Sequence, residues 1–157
     1  MHGCQRWRGI LPLAIGIALS GCSTGHLPAV AGAIPGGLQA FLATHPLAEG
    51  QPLRADEVAR APGVSWHLVQ VRGAESPHRH RQHDLTVLML RGEGVLTLDG
   101  HVTPMHAGDA ALIPRDRPHW FARRGSAPAV SLVALSPPLD APDLVPEAGV
   151  DTMGGHR

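Results

Sequence analysis

The segment Pro77-His78-Arg79-His80-Arg81-Gln82-His83-Asp84 places three imidazoles and a carboxylate within seven positions, directly ahead of an apolar run. A further imidazole, His119, closes Gly108-Asp-Ala-Ala-Leu-Ile-Pro114-Arg-Asp-Arg-Pro118-His119, at the end of a second strand-like stretch. Neutral imidazole and carboxylate are the donors that borderline divalent metals such as Fe, Mn, Zn, Ni and Cu prefer. Alternate side chains of an extended chain share a face, so His78 and His80 can grip one ion between them, with His119 arriving from a separate strand. The fourth ligand stays open between two neighbours. Asp84 has the parity of His78 and His80, whereas His83, counted back from Gly92, shares a face with Leu85, Val87 and Met89. The count leans slightly to Asp84. The expectation is one divalent transition metal, of unnamed identity, on His78, His80, His119 and either Asp84 or His83.

Other chemistries find no support. No nucleophile motif, phosphate loop or basic-aromatic surface is present, and the Ser residues lack a triad pattern. Lys+Arg and Asp+Glu are both 13, so no net field draws the chain to nucleic acid. The sequence offers no obvious general base beyond whichever carboxylate is not a ligand. Arg115 and Arg117 flank the His119 turn and are candidates for orienting an anionic substrate. Trp66, Trp120 and Phe121 are core or pocket-wall candidates, Trp120 beside the ligand being placed to shape a cavity. His67 could face inward near the pocket, while His45, His101, His106 and His156 lack ligand spacing.

The elements that must position these residues are short and β-like. Gly 19 and Pro 15 call for frequent reversals, which fits strands and turns rather than a helical bundle. After two helical turns expected over Leu38–His45, the stretch Leu53–Arg60 reads as either strand or helical turn. Strands are expected over Val64–Arg72, Asp84–Arg91, Val95–Asp99, His101–Met105, Ala110–Ile113, Pro118–Ala122 and Ala129–Leu135. Asp84–Arg91 is nearly continuously apolar, as a strand covered on both faces would be. Seven or eight short strands with turns every six to ten residues predict an all-β sandwich or barrel. From Pro137 the chain reads as extended and wrapped over the outside.

The N-terminus reads as a targeting segment. Arg6 and Arg8 precede an apolar run, Ile10–Leu19, too short for a permanent membrane span. Leu19-Ser20-Gly21-Cys22 resembles the bacterial lipobox, which implies cleavage before Cys22, its lipidation and a membrane anchor without a spanning helix. With Cys4 removed, Cys22 is the sole thiol and no internal disulfide can form. The expected localisation is the bacterial envelope, on the periplasmic face of the outer membrane because Ser23 rather than Asp follows. The expected organisation is a signal peptide (1–21), a lipidated Cys and tether with a short helix (22–50), a barrel (51–140) and an extended tail (141–157).

Two segments carry a family resemblance. His78-x-His80-x3-Asp84-x7-Gly92 resembles the first motif of the cupin superfamily, and Gly108-x5-Pro114-x-Asp116-x2-His119 resembles the second. The departures are Asp84 for Glu, one extra residue before Gly92, Asp116 for Gly and Arg123 for Asn. The resemblance implies a single jelly-roll barrel of six to ten strands with one divalent metal in its mouth, binding a small molecule, and brings with it a homodimer through paired barrel edges. Two functions follow. One is a metalloenzyme, a dioxygenase by family analogy or else an isomerase. The other is a non-catalytic envelope module that binds a metal or small ligand.

Overall fold

Among the described residues, ten strands follow one helix. The structure, a computed structural model, describes residue 34 and residues 36–147. The signal, Cys22 and most of the tether therefore lie outside the described residues, as does the end of the tail. The elements are α1 (Gly37–Thr44), β1 (Leu53–Ala61), β2 (Val64–Val71), β3 (His78–His80), β4 (Asp84–Arg91), β5 (Glu93–Leu98), β6 (His101–His106), β7 (Ala110–Ile113), β8 (His119–Arg124), β9 (Ala129–Ser136) and β10 (Leu144–Pro146).

They build two five-stranded antiparallel sheets, β1-β2-β9-β4-β7 and β10-β3-β8-β5-β6, the two walls of a jelly roll. Leu53–Arg60 resolves as a strand, β1, whose register slips between Glu57 and Ala59 opposite β2. The tail beyond Pro137 does not merely wrap the outside, since β10 adds to the edge of the second sheet through β3. The β5–β6 hairpin turns on Asp99-Gly100 alone, with φ of 51° and 78° and Leu98 opposite His101. A two-residue turn with both residues left-handed matches the natural twist of its strands, and an Asp-Gly pair is the preferred chemistry for it.

The core lies between the sheets. Leu85, Met89, Ile113, Val133 and Leu135 of the first sheet close on Leu96 and Met105 of the second. A second cluster lies on the outer face of the first sheet, where α1 sets Leu42, Leu38 and Phe41 on Leu68, Val130 and Leu132. Gln70 ties the helix down by donating to the His45 carbonyl oxygen at 2.8 Å. This cover is incomplete. β4 is not sealed on both faces, because Thr86 is exposed and Leu88 is 37 % exposed. A continuous apolar run thus says that a strand is buried on one side and only patched on the other.

Gly92 is the joint between β4 and β5. Its φ is +81°, and a Cβ there would stand 2.9 Å from the Ala129 Cα, a backbone atom that cannot swing away. Left-handed strain and this clash together predict that Gly92→Ala destabilises the fold by about 1–3 kcal/mol. Urea unfolding should show the lowered midpoint with an unchanged slope; an unshifted midpoint would contradict the account.

Candidate metal centre

The site begins with one residue pair. β3 is only three residues long, and it joins β8 with His78 directly opposite His119. Opposed residues of an antiparallel pair hold their side chains side by side, and His80, two positions on, shares the face of His78. The ring centroids of His78 and His119 are 4.4 Å apart, those of His78 and His80 5.2 Å, and those of His80 and His119 5.7 Å. One ligand atom from each of the three falls within 4.8 Å of the others.

Each ring is anchored from behind through Nδ1. The partners are the Ser76 carbonyl oxygen for His78 (2.8 Å), the Arg117 carbonyl oxygen for His119 (2.9 Å) and the Asp143 carboxylate for His80 (2.7 Å). All three partners can only accept, so the ring proton belongs on Nδ1 and the Nε2 lone pair is left free. Burial pushes His119 down to about 4, and burial likewise lowers His80 against the opposing pull of Asp143. These rings are therefore neutral at neutral pH, the form that ligates metal. Bonds of about 2.1 Å put two nitrogens of one ion at most ~4.2 Å apart, so the triad closes on an ion with sub-ångström ring movements. The residues fit a divalent metal.

The two candidates for the fourth position go elsewhere. Asp84 pairs with Arg115, its Oδ2 2.7 Å from Nη2 and its Oδ1 2.8 Å from the Arg115 backbone nitrogen. The side-chain and backbone hydrogen bonds from Arg115 hold the Asp84 carboxyl down at about 2. The chain bends at Arg81-Gln82, so the parity of β3 is not carried into β4, and Asp84 starts the outward set with Thr86 and Leu88. His83 does fall on the inward face with Leu85 and Met89. Its Nδ1, however, stands 2.6 Å from Asp143 and its Nε2 3.3 Å from the Pro138 carbonyl oxygen, so neither nitrogen is offered to the triad.

His80, His83 and Asp143 form a second compact group of metal-ligating types. Hydrogen bonds account for it. One carboxylate receives the two imidazoles and the Gln82 backbone N–H at 2.9 Å. Burial raises the Asp143 carboxyl, but these three partners outweigh it and bring it to about 2.

Asp143 and Glu75 are the residues that sequence reasoning missed. Asp143 is 63 positions from His80, in a Pro-rich tail with no spacing signal. Glu75 accepts the Phe121 N–H at 2.9 Å, lines the cavity beneath the triad, and is raised chiefly by burial. Its only signal was a lone carboxylate three residues ahead of His78.

The triad opens into a cavity of about 600 Å³ between the sheets. Val69, Leu85, Met89, Leu96, Ile113 and Phe121 give its walls their apolar character. His67 lines it as well. Trp66 and Trp120 do not, and neither do Arg115 and Arg117, whose guanidinium groups pair with Asp84 and Asp99.

Residues 65–135 match the Cupin domain family. An uncharacterized protein of Aquifex aeolicus (strain VF5) is 39% identical over 84 residues, covering 54% of this chain and 69% of that protein. Among solved structures, KdgF from Halomonas sp. aligns with a TM-score of 0.53 at 23% identity, over 57% of this chain and 83% of that one. Pac13, a nucleoside dehydratase from Streptomyces, aligns with a TM-score of 0.52 at 17% identity, over 61% and 78%. At such identities the two structures speak for the fold alone.

The geometry separates the two aspartates. Asp143→Asn, which loosens His80, should lower metal affinity about 10- to 100-fold, whereas Asp84→Asn should leave it unchanged. Competition with a chromophoric chelator measures both. Equal losses would return Asp84 to the site.

Proposed function

The chain belongs to the cupin superfamily, and from that premise we propose that it is a dioxygenase-type metalloenzyme acting on a small molecule inside its barrel. The single observation behind this reading is that three imidazoles, each held by an acceptor on Nδ1, converge at the mouth of a largely apolar cavity. His78, His80 and His119 would hold one divalent ion and leave coordination positions open. When bound, a redox-active ion supplies oxygen chemistry and a redox-inert one supplies Lewis acidity.

The remaining work falls to this chain's own side chains. The apolar walls exclude water and suit an apolar gas and an organic substrate. Asp143 fixes the orientation of His80. Glu75 is the one carboxylate on the cavity wall among the described residues, and burial favours its protonated form, so it can hold a proton close to His78. A single carboxylate on this largely apolar wall suits oxygen chemistry better than an isomerisation that shuttles a proton between two carboxylates.

The test is oxygen uptake by the Fe(II)-loaded chain on a panel of catechols, thiols and β-diketones. Uptake with at least one class, lost in His119→Ala, is the expected result. A metal-loaded protein silent across the panel would leave the non-catalytic binding module as the function.

Lipid anchoring at the bacterial envelope belongs to the same proposal, supported by the sequence Leu19-Ser20-Gly21-Cys22. Labelled palmitate should enter the wild-type chain and not Cys22→Ala, which should leave the membrane fraction; retention of both label and membrane would refute the anchor. A homodimer through barrel edges is part of the reading too. It is supported by Val102 on edge strand β6 and Leu112 on edge strand β7, which are 66 % and 64 % exposed. A single monomeric species in sedimentation at micromolar concentration would remove it.

A further inference from the structure

Opposite the triad, the first sheet presents two polar side chains to the cavity, His67 on β2 and Ser131 on β9, and the geometry around His67 is the more telling. Ser65 and His67 lie two apart on β2 and share its inward face, and both are buried. The Ser65 hydroxyl oxygen accepts the Leu139 backbone N–H at 3.0 Å and stands 2.9 Å from His67 Nε2. Among the described residues, that ring nitrogen is the only acceptor within reach of the hydroxyl proton. Ser65 therefore donates to Nε2, and the ring proton of His67 is on Nδ1. Burial lowers the His67 pKa, with Arg60 acting in the same sense and Glu57 against it, in keeping with a neutral ring.

His67 Nδ1 has no hydrogen-bond partner among the described residues, although the residue is only 7 % exposed. It is not sealed inside the wall either, and the ring lines the cavity. An N–H that faces a largely apolar cavity without a protein acceptor is poorly satisfied, and an acceptor on a bound molecule supplies the missing bond. The cavity also discriminates by charge. No Arg lines it among the described residues, and its one acidic side chain is Glu75. An anionic body would lose its hydration there and meet no cation in return. A volume of about 600 Å³ suits a small organic molecule.

We propose that His67 is a specificity-determining residue, whose Nδ1–H donates to an acceptor on the body of an uncharged, largely apolar ligand that coordinates by one end at the His78–His80–His119 site. This rests on the metal-centre reading. The two poles stand on facing walls, His67 on β2 and the triad on β3 and β8, so the ligand spans the cavity between them.

The test uses the Co(II)-loaded full chain and reads the cobalt absorption bands during titration with four hydroxamic acids. Benzohydroxamic acid has an apolar body, its 3- and 4-acetyl derivatives add a neutral acceptor, and 4-carboxybenzohydroxamic acid adds a charge. One acetyl isomer should bind about 2- to 10-fold tighter than the parent, and the carboxylate at least about tenfold weaker. His67→Phe should erase the acetyl gain while leaving the parent's affinity in place, and His67→Gln, which restores an N–H donor, should recover part of it. The wild-type series stands even if the Phe variant fails to fold. Carboxylate binding as tight as the parent's, absence of an acetyl gain, or a gain that survives in His67→Phe overturns the proposal while leaving the metal centre standing. Failure to take up cobalt at all overturns both.

Discussion

The pairing of His78 with His119 across β3 and β8 is the constraint from which the rest of the site follows. It fixes two imidazoles side by side in one sheet, and the two-residue repeat of β3 adds His80 on the same face. Three rings with centroids 4.4 to 5.7 Å apart would repel one another if protonated, so the arrangement requires neutral imidazoles. Burial lowers His80 and His119 toward the neutral form, and an acceptor behind each Nδ1 selects the tautomer. The short β3 cannot hold this geometry by itself. It is gripped between β8 on one side and β10 on the other, so β10 is part of the framework that holds the triad rather than decoration.

The charge balance of the pocket shapes what can enter it. Three imidazole ligands would leave a divalent ion with its full charge, and the nearest carboxylates stand at a remove, Asp143 behind His80 and Glu75 on the cavity wall. An ion so ligated favours one anionic or strongly polar oxygen from its guest. Beyond that point the walls are largely apolar, and among the described residues no Arg lines them to pair with further charge on the guest. The pocket therefore combines a demand for one hard donor with an intolerance of charge elsewhere.

Much of this was legible in the sequence, for local reasons. The period-two placement of His78 and His80, and the turn residues at Gly92, Gly100 and Gly108, are properties of a few consecutive residues. They led to the strands and the three imidazoles that meet. What could not be read were relations that depend on how the chain bends or returns. The bend at Arg81-Gln82 resets the parity, which turns Asp84 outward and brings His83 inward. Asp143 reaches the site only because β10 pairs with β3, and nothing in a Pro-rich tail announces that pairing. Leu53–Arg60 has no clean alternation because β1 carries a bulge at Val58, which packs with the outer cluster under α1.

The arginines beside His119 show how a reasonable reading of residue type can miss a role. Arg115 and Arg117 look like anion binders, yet each is engaged by a carboxylate of a neighbouring segment, Asp84 at the start of β4 and Asp99 in the β5–β6 turn. Ion pairs this exposed contribute little to stability. Their value is positional, because they clamp the Pro114–Pro118 turn from two directions. Two backbone bonds complete the clamp, from the Asp116 N–H to the His80 carbonyl oxygen at 2.6 Å and from the Asp99 N–H to the Pro118 carbonyl oxygen at 2.9 Å. Asp116 makes its bond from the left-handed region, at φ 62°, where the family pattern has glycine and where Asp is among the few side chains tolerated. The turn so fixed supplies the Arg117 carbonyl oxygen behind His119 Nδ1 and meets the strand that carries His80. Arginines whose positions suggest substrate contact instead hold one imidazole of the triad at a set distance from another, and among the described residues no Arg lines the cavity.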